Sequence, residues 1–124
     1  MKGTARTLDD WLSDIEQAAA KVVTYTSPIE FERFKADEPI HYLVIKMLEN
    51  MGEATRNIAR LHPDFQATVP DMPWREMAQL RNRLSHGYFD YSPALVWRIA
   101  VDEVPGVLER TRRLIADRAQ SEDR

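Results

Sequence analysis

The sequence predicts an all-α fold, a bundle of four main helices plus a short one. Apolar residues recur at three- and four-residue steps in several long windows. No window sustains the two-residue alternation of a half-buried strand. The seven prolines fall between the periodic segments or beside their ends. A chain of 124 residues supports one domain, 1–124, with a polar tail from about residue 118.

Each helix has its own signals. Thr7 is placed to cap a first helix whose stripe is Leu8, Trp11, Leu12, Ile15, Ala18, Ala19 and Val22. Asp9, Asp10 and Asp14 load its first turns with negative charge, which suits the positive end of the helix dipole. Phe31 and Phe34 predict one short helical turn within Ile29–Ala36. Pro39 suits the first turn of a long helix ending at Leu61 or His62. Its expected stripe is Leu43, Met47, Met51, Ala54, Ile58 and Leu61, flanked by Ile40, Val44 and Leu48. Gly52 inside it costs about 1 kcal/mol against alanine and marks close helix packing. Pro63, Pro70 and Pro73 predict a loop. Trp74 to Ser85 reads as one helix with Met77, Leu80 and Leu84 inward, closed by Gly87. Ser92-Pro93 caps the last helix, and Pro105-Gly106 should break or kink it before it ends near Asp117.

Composition removes several kinds of chemistry. There is no cysteine, so disulfides, thiolate nucleophiles and cysteine-ligated metal are excluded. Four glycines disfavour a glycine-rich phosphate loop. His41 and His62 have no partner at metal-ligand spacing and read as structural or surface residues, so neither a metal nor a cofactor is expected. No apolar run approaches the roughly 20 residues of a membrane span, and no apolar leader is visible. A cytoplasmic address is the expectation. Net charge is −3, so the chain lacks the basic excess of a dedicated duplex-DNA binder. Nucleic-acid contact would rest on a local cluster.

Two segments concentrate polar chemistry. On the long helix, Glu49, Glu53, Arg56 and Arg60 are spaced for salt links. Asn50, Glu53 and Asn57 share a face beside Gly52, as at a lined cleft or a subunit contact. The denser segment is Arg81-Asn82-Arg83-Leu84-Ser85-His86-Gly87-Tyr88-Phe89-Asp90-Tyr91. It gathers phosphate-binding and proton-transfer groups around one glycine. Its plain structural reading is a capped helix end. Asn82 and His86, four apart, share a helix face. Arg81 and His86, five apart, point roughly 140° away from each other on a straight helix. Both can serve one atom only if the helix unwinds at Gly87 or if two copies meet across a two-fold axis.

Arg81-Asn82, three residues, then His86-Gly87-Tyr88 resembles the Arg-x(4–6)-His signature of the HEPN superfamily. The tyrosine two after the histidine resembles the HepT-like ribonuclease toxins. Asn50-Met51-Gly52-Glu53-Ala54, Val69-Pro70, Pro73-Trp74, Val96-Trp97 and Asp102-Glu103-Val104-Pro105 extend the resemblance from about Leu8 to Ile115. It implies a homodimer with the motif helices facing across the two-fold. It implies metal-independent endoribonuclease activity, and a toxin–antitoxin pair of type II/VII with a minimal nucleotidyltransferase antitoxin. Carried over, Arg81 and His86 are catalytic, Asn82 and Glu53 support them, and Tyr88 is the residue that the antitoxin silences by adding AMP. The rival readings are a non-catalytic nucleotide-binding or scaffold partner of a nucleotidyltransferase, and a purely structural helical protein.

Overall fold

Thr7 opens the first helix by reciprocal bonding. Its hydroxyl accepts from the Asp10 N–H (3.2 Å), and the Asp10 carboxylate accepts from the Thr7 N–H (2.9 Å). That backbone N–H is the main cause holding the Asp10 carboxyl below its ordinary pKa. The computed structural model describes residues 5–84 and 91–122. Helix α1 spans Leu8–Thr26 and buries Leu8, Leu12, Ile15, Ala18, Ala19 and Val22, the expected stripe without Trp11. Trp11 is half-buried, with the Arg6 guanidinium 4.4 Å above its ring.

Helix α2 is six residues long, Phe31–Ala36, and Phe34 is its one buried residue. Asp37 then caps α3, Glu38–Leu61, by accepting from the Ile40 N–H, with Pro39 in the first turn. This helix is the centre of the bundle, packing on α1, on α2 and on the short helices that follow it. Its buried face runs through Val44, Ile45, Leu48, Met51, Gly52, Ala54, Thr55, Asn57 and Ile58. The expected stripe is therefore rotated. The flanking pair Val44 and Leu48 is in the core, Leu43 and Met47 are half-buried, and Leu61 is 46% exposed. A central helix must meet neighbours on a broad arc, so small residues on its second side are buried too.

Four further differences have physical causes. The expected loop after α3 holds a helical turn, α4, Pro63–Ala67, because Pro63 sits in a first turn where its missing N–H costs nothing. The expected single helix over Trp74–Ser85 divides at Gln79 into α5, Trp74–Ala78, and α6, Leu80–Leu84. The last helix does not break at Pro105-Gly106. Ser92 caps α7, Pro93–Arg98, which passes through a π turn, Ile99–Glu103, into α8, Val104–Glu122. The Val104 N–H bonds the Ile99 carbonyl five residues back. The wide turn gives the Pro105 ring room that a regular helix denies it. Helix α8 also runs past the expected end near Asp117, into the segment expected as a polar tail from about 118. Arg118 pairs with Asp9 and Arg112 with Glu16, which holds the helix against α1.

One apolar cluster joins α1, α2, α3, α5, α6, α7 and α8. Near its edge lies His41, its ring edge-on to Phe34 at 5.1 Å. Burial pushes its pKa down, against the opposing charge of Glu38, and its Nε2 is buried without a hydrogen-bond partner among the described residues. The unfolded chain therefore takes up this proton at a higher pH than the folded one. The stability tied to His41 is fully present above the ordinary imidazole pKa of about 6.5. It declines as the pH falls from there toward the depressed folded value. Melting temperature followed between about pH 7.5 and 5.5 should fall less steeply for His41→Gln than for the parent protein.

No helix among the described residues is long and apolar enough to cross a membrane.

Candidate functional site

The motif helix is anchored before it presents anything. Leu80 and Leu84 of α6 are buried, while Arg81 and Asn82 are exposed. His86 and Tyr88, with Gly87, lie outside the described residues, as does the expected re-aiming of His86 toward Arg81. Four interactions fix the segments on either side.

The first is the approach of α3 to α5. A Cβ on Gly52 would stand 3.0 Å from the Met77 carbonyl oxygen and 3.6 Å from the Leu80 Cβ. The glycine is there because backbone passes where a side chain would be. Gly52→Leu should lower stability by about 1–3 kcal/mol, as over-packing does. Thermal melting checks it, and an unchanged midpoint overturns it.

The second is the Arg56 guanidinium, which donates to the Ala78 carbonyl at 3.0 Å and to Glu53 at 2.8 Å. Ala78 is the last residue of α5, so its carbonyl is drawn out of the helical ladder, which explains the division at Gln79. Glu53 therefore meets the motif segment through Arg56. Its carboxyl pKa is lowered, first by that hydrogen bond. Asn57 donates to the Glu53 carbonyl (3.0 Å) and accepts from Arg60 (2.7 Å).

The third is Arg83, whose two terminal nitrogens donate to the two oxygens of Glu103 at 3.0 and 2.7 Å. This fork raises the Arg83 pKa, with burial opposing. The fourth lies beyond the motif, where the Tyr91 hydroxyl donates to Glu49 at 2.9 Å. That bond raises the tyrosine pKa, burial adds to it, and the positive charge of Arg81 works the other way. Arg81 thus stands in the electrostatic range of the Glu49–Tyr91 pair.

Sequence reasoning named Arg81, Asn82 and Glu53 but gave no role to Arg83, Glu103 or the Glu49–Tyr91 pair. Arg83 and Glu103 are 20 residues apart, and Glu49 and Tyr91 are 42 apart, so periodicity carried no signal for either pairing. A groove of about 290 Å³ between α1 and α3 is lined by Trp11, Gln17, Lys21, Asn50 and Glu53 among others, and neither Gly52 nor Asn57 is part of that lining. His62 ends α3 and opens α4, a structural place. No cluster of three or more metal-ligating side chains occurs among the described residues.

The chain belongs to the HepT-like ribonuclease family, whose model, described as ribonuclease HepT-like, matches residues 15–114. It is 35% identical over 109 residues to a probable ribonuclease HepT of Thermococcus cleftensis, covering 88% of this chain and 96% of that one. It is 38% identical over 102 residues to a putative RNase of Methanocaldococcus jannaschii, covering 82% and 91%. A second putative RNase of the same organism is 32% identical over 107 residues, covering 86% of each chain. No solved structure matches.

Proposed function

We propose that this protein is the toxin of a toxin–antitoxin pair, an endoribonuclease whose site is built from Arg81 and His86 of two copies meeting across a two-fold axis. The observation that carries the reading is the exposure of Arg81 and Asn82 on a helix whose other side is fastened to the bundle. A side chain held outward in this way is available to a phosphodiester and to a second protomer.

RNA brings its own nucleophile, so the site needs no metal. His86 takes the proton of a 2′-hydroxyl, and that oxygen attacks the adjacent phosphorus. The P–O5′ bond breaks, leaving a 2′,3′-cyclic phosphate, and the departing 5′-oxygen receives a proton from imidazolium, so that His86 ends neutral. Imidazole suits this transfer because its ordinary pKa lies near neutrality. Arg81 keeps its charge at every working pH, and its planar fork matches two phosphate oxygens. It stabilises the charge that grows on them. Asn82 supports the pair by orienting the imidazole or holding RNA, and Glu53 supports it by steadying Arg56.

Silencing follows from the same electrostatics. AMP attached to Tyr88 by a nucleotidyltransferase antitoxin places an anionic phosphodiester and a base beside Arg81, where RNA would bind. The test is incubation of the purified protein with RNA in the presence of a chelator. Fragments ending in cyclic phosphate support the proposal, and intact RNA overturns it. Protein co-expressed with its nucleotidyltransferase partner should carry the mass of AMP on the peptide containing Tyr88. Inactive co-expressed protein with an unmodified Tyr88 would instead indicate block by antitoxin binding.

A further inference from the structure

Arg81 and Arg83 are two residues apart, about 200° around a helix. Only one of them can face the bundle at a time. The structure turns Arg83 inward and Arg81 outward, and the partner that holds Arg83 is Glu103.

Glu103 is at that place because of the π turn. Ile99, Ala100 and Val104 are all buried. On a regular helix Glu103 would lie about 40° from Ile99, inside the arc those three residues span. Its carboxylate would then point into the core, where an unpaired charge is very costly. The π turn, bonded i→i+5, advances less per residue. It keeps the three apolar residues inside and brings Glu103 to their flank, where it is 38% exposed and meets the Arg83 fork. Two parallel N–H···O bonds fix direction as well as distance, which a single point charge does not.

We propose that Arg83 and Glu103 form a positioning pair that sets the roll of α6, so that Arg81 and Asn82 face the RNA and the second protomer. The inference rests on the ribonuclease reading for its consequence, and on the fork and the π turn for its geometry. Neither residue touches the scissile phosphate. Loss of the fork lets α6 roll, and small misplacement of a catalytic group is enough to cost up to roughly 100-fold in rate.

The test compares the parent protein, Arg81→Ala, Glu103→Gln and the exchanged pair Arg83→Glu/Glu103→Arg, all with RNA and a chelator. Glu103→Gln should lower kcat roughly 10- to 100-fold with KM little changed and the pH profile in place. The exchanged pair should recover most of that loss. Hydrogen exchange of the backbone over residues 80–84 should speed up in Glu103→Gln and slow again in the exchanged pair. Arg83→Lys keeps charge without the fork, and it replaces Glu103→Gln in the comparison if that variant does not fold. Parent-like cleavage and exchange in Glu103→Gln overturn the positioning role, as does a loss that the exchanged pair fails to recover. Equal cleavage by the parent and Arg81→Ala overturns the ribonuclease site instead, and the exchange measurement still decides whether the pair holds α6.

Discussion

Arg81→Ala should slow RNA cleavage by roughly 100- to 1,000-fold, the usual loss when a preorganised donor to a developing oxyanion is removed. The fold should survive, because Arg81 is exposed and the buried residues of α6 are Leu80 and Leu84. Single-turnover cleavage of a labelled RNA, set beside a thermal melt, separates the two effects. Arg81→Lys should recover only part of the rate, since an ammonium keeps the charge and loses the bidentate geometry. His86→Ala should cost about 10²–10⁴-fold, the range for general acid–base groups. Either alanine variant cutting as fast as the parent removes the proposed site. Mixing the two inactive variants offers a sharper readout. If each composite site draws Arg81 from one protomer and His86 from the other, heterodimers regain one intact site.

Phe34→Ala should be the most damaging single substitution for stability. Phe34 is fully buried and is the one buried residue of α2. Its ring meets His41 edge-on and lies 5.2 Å from the ring of Trp97 in a tilted contact. Removing it leaves a cavity, and leaves the half-buried Phe31, whose ring meets Trp97, as the other aromatic contact of α2 with the core. A loss of about 3–5 kcal/mol is expected. Domains of this size hold only about 5–15 kcal/mol in total. The melting temperature should fall by roughly 10 °C or more. A shift of only a few degrees would show that α2 contributes little to the bundle.

The helices that were legible in the sequence are those whose ends carry their own chemistry. Thr7, Pro39 and Ser92-Pro93 each signal a start locally, so the starts of α1, α3 and α7 follow from neighbouring residues. The division of α5 from α6 was not legible, because its cause lies on α3. Gly52 admits the Met77 carbonyl and Arg56 takes the Ala78 carbonyl, both from far away in sequence. Pro105 signalled a disturbance in the last helix, and local rules left it as a break or a kink. The packing of Ile99, Ala100 and Val104 made it a π turn, and packing has no period to read. At the site, Arg81 and Asn82 were visible as a motif, and their exposure agrees with an outward role. The Arg83–Glu103 and Tyr91–Glu49 bonds near them join residues 20 and 42 apart in the chain.

The seam between α1 and α8 bears on when the molecule becomes complete. Asp9 meets Arg118 and Glu16 meets Arg112, so the two helices run antiparallel, and these partners are 109 and 96 residues apart in the chain. Such exposed pairs add little strength individually. Their order of appearance matters more. A ribosome has emitted α1 long before it makes α8, so the face of α1 that packs on α8 waits without its final cover. The native bundle can close only after translation has passed Arg118, and until then the newborn chain is at its most vulnerable to proteases and to sticking to its neighbours.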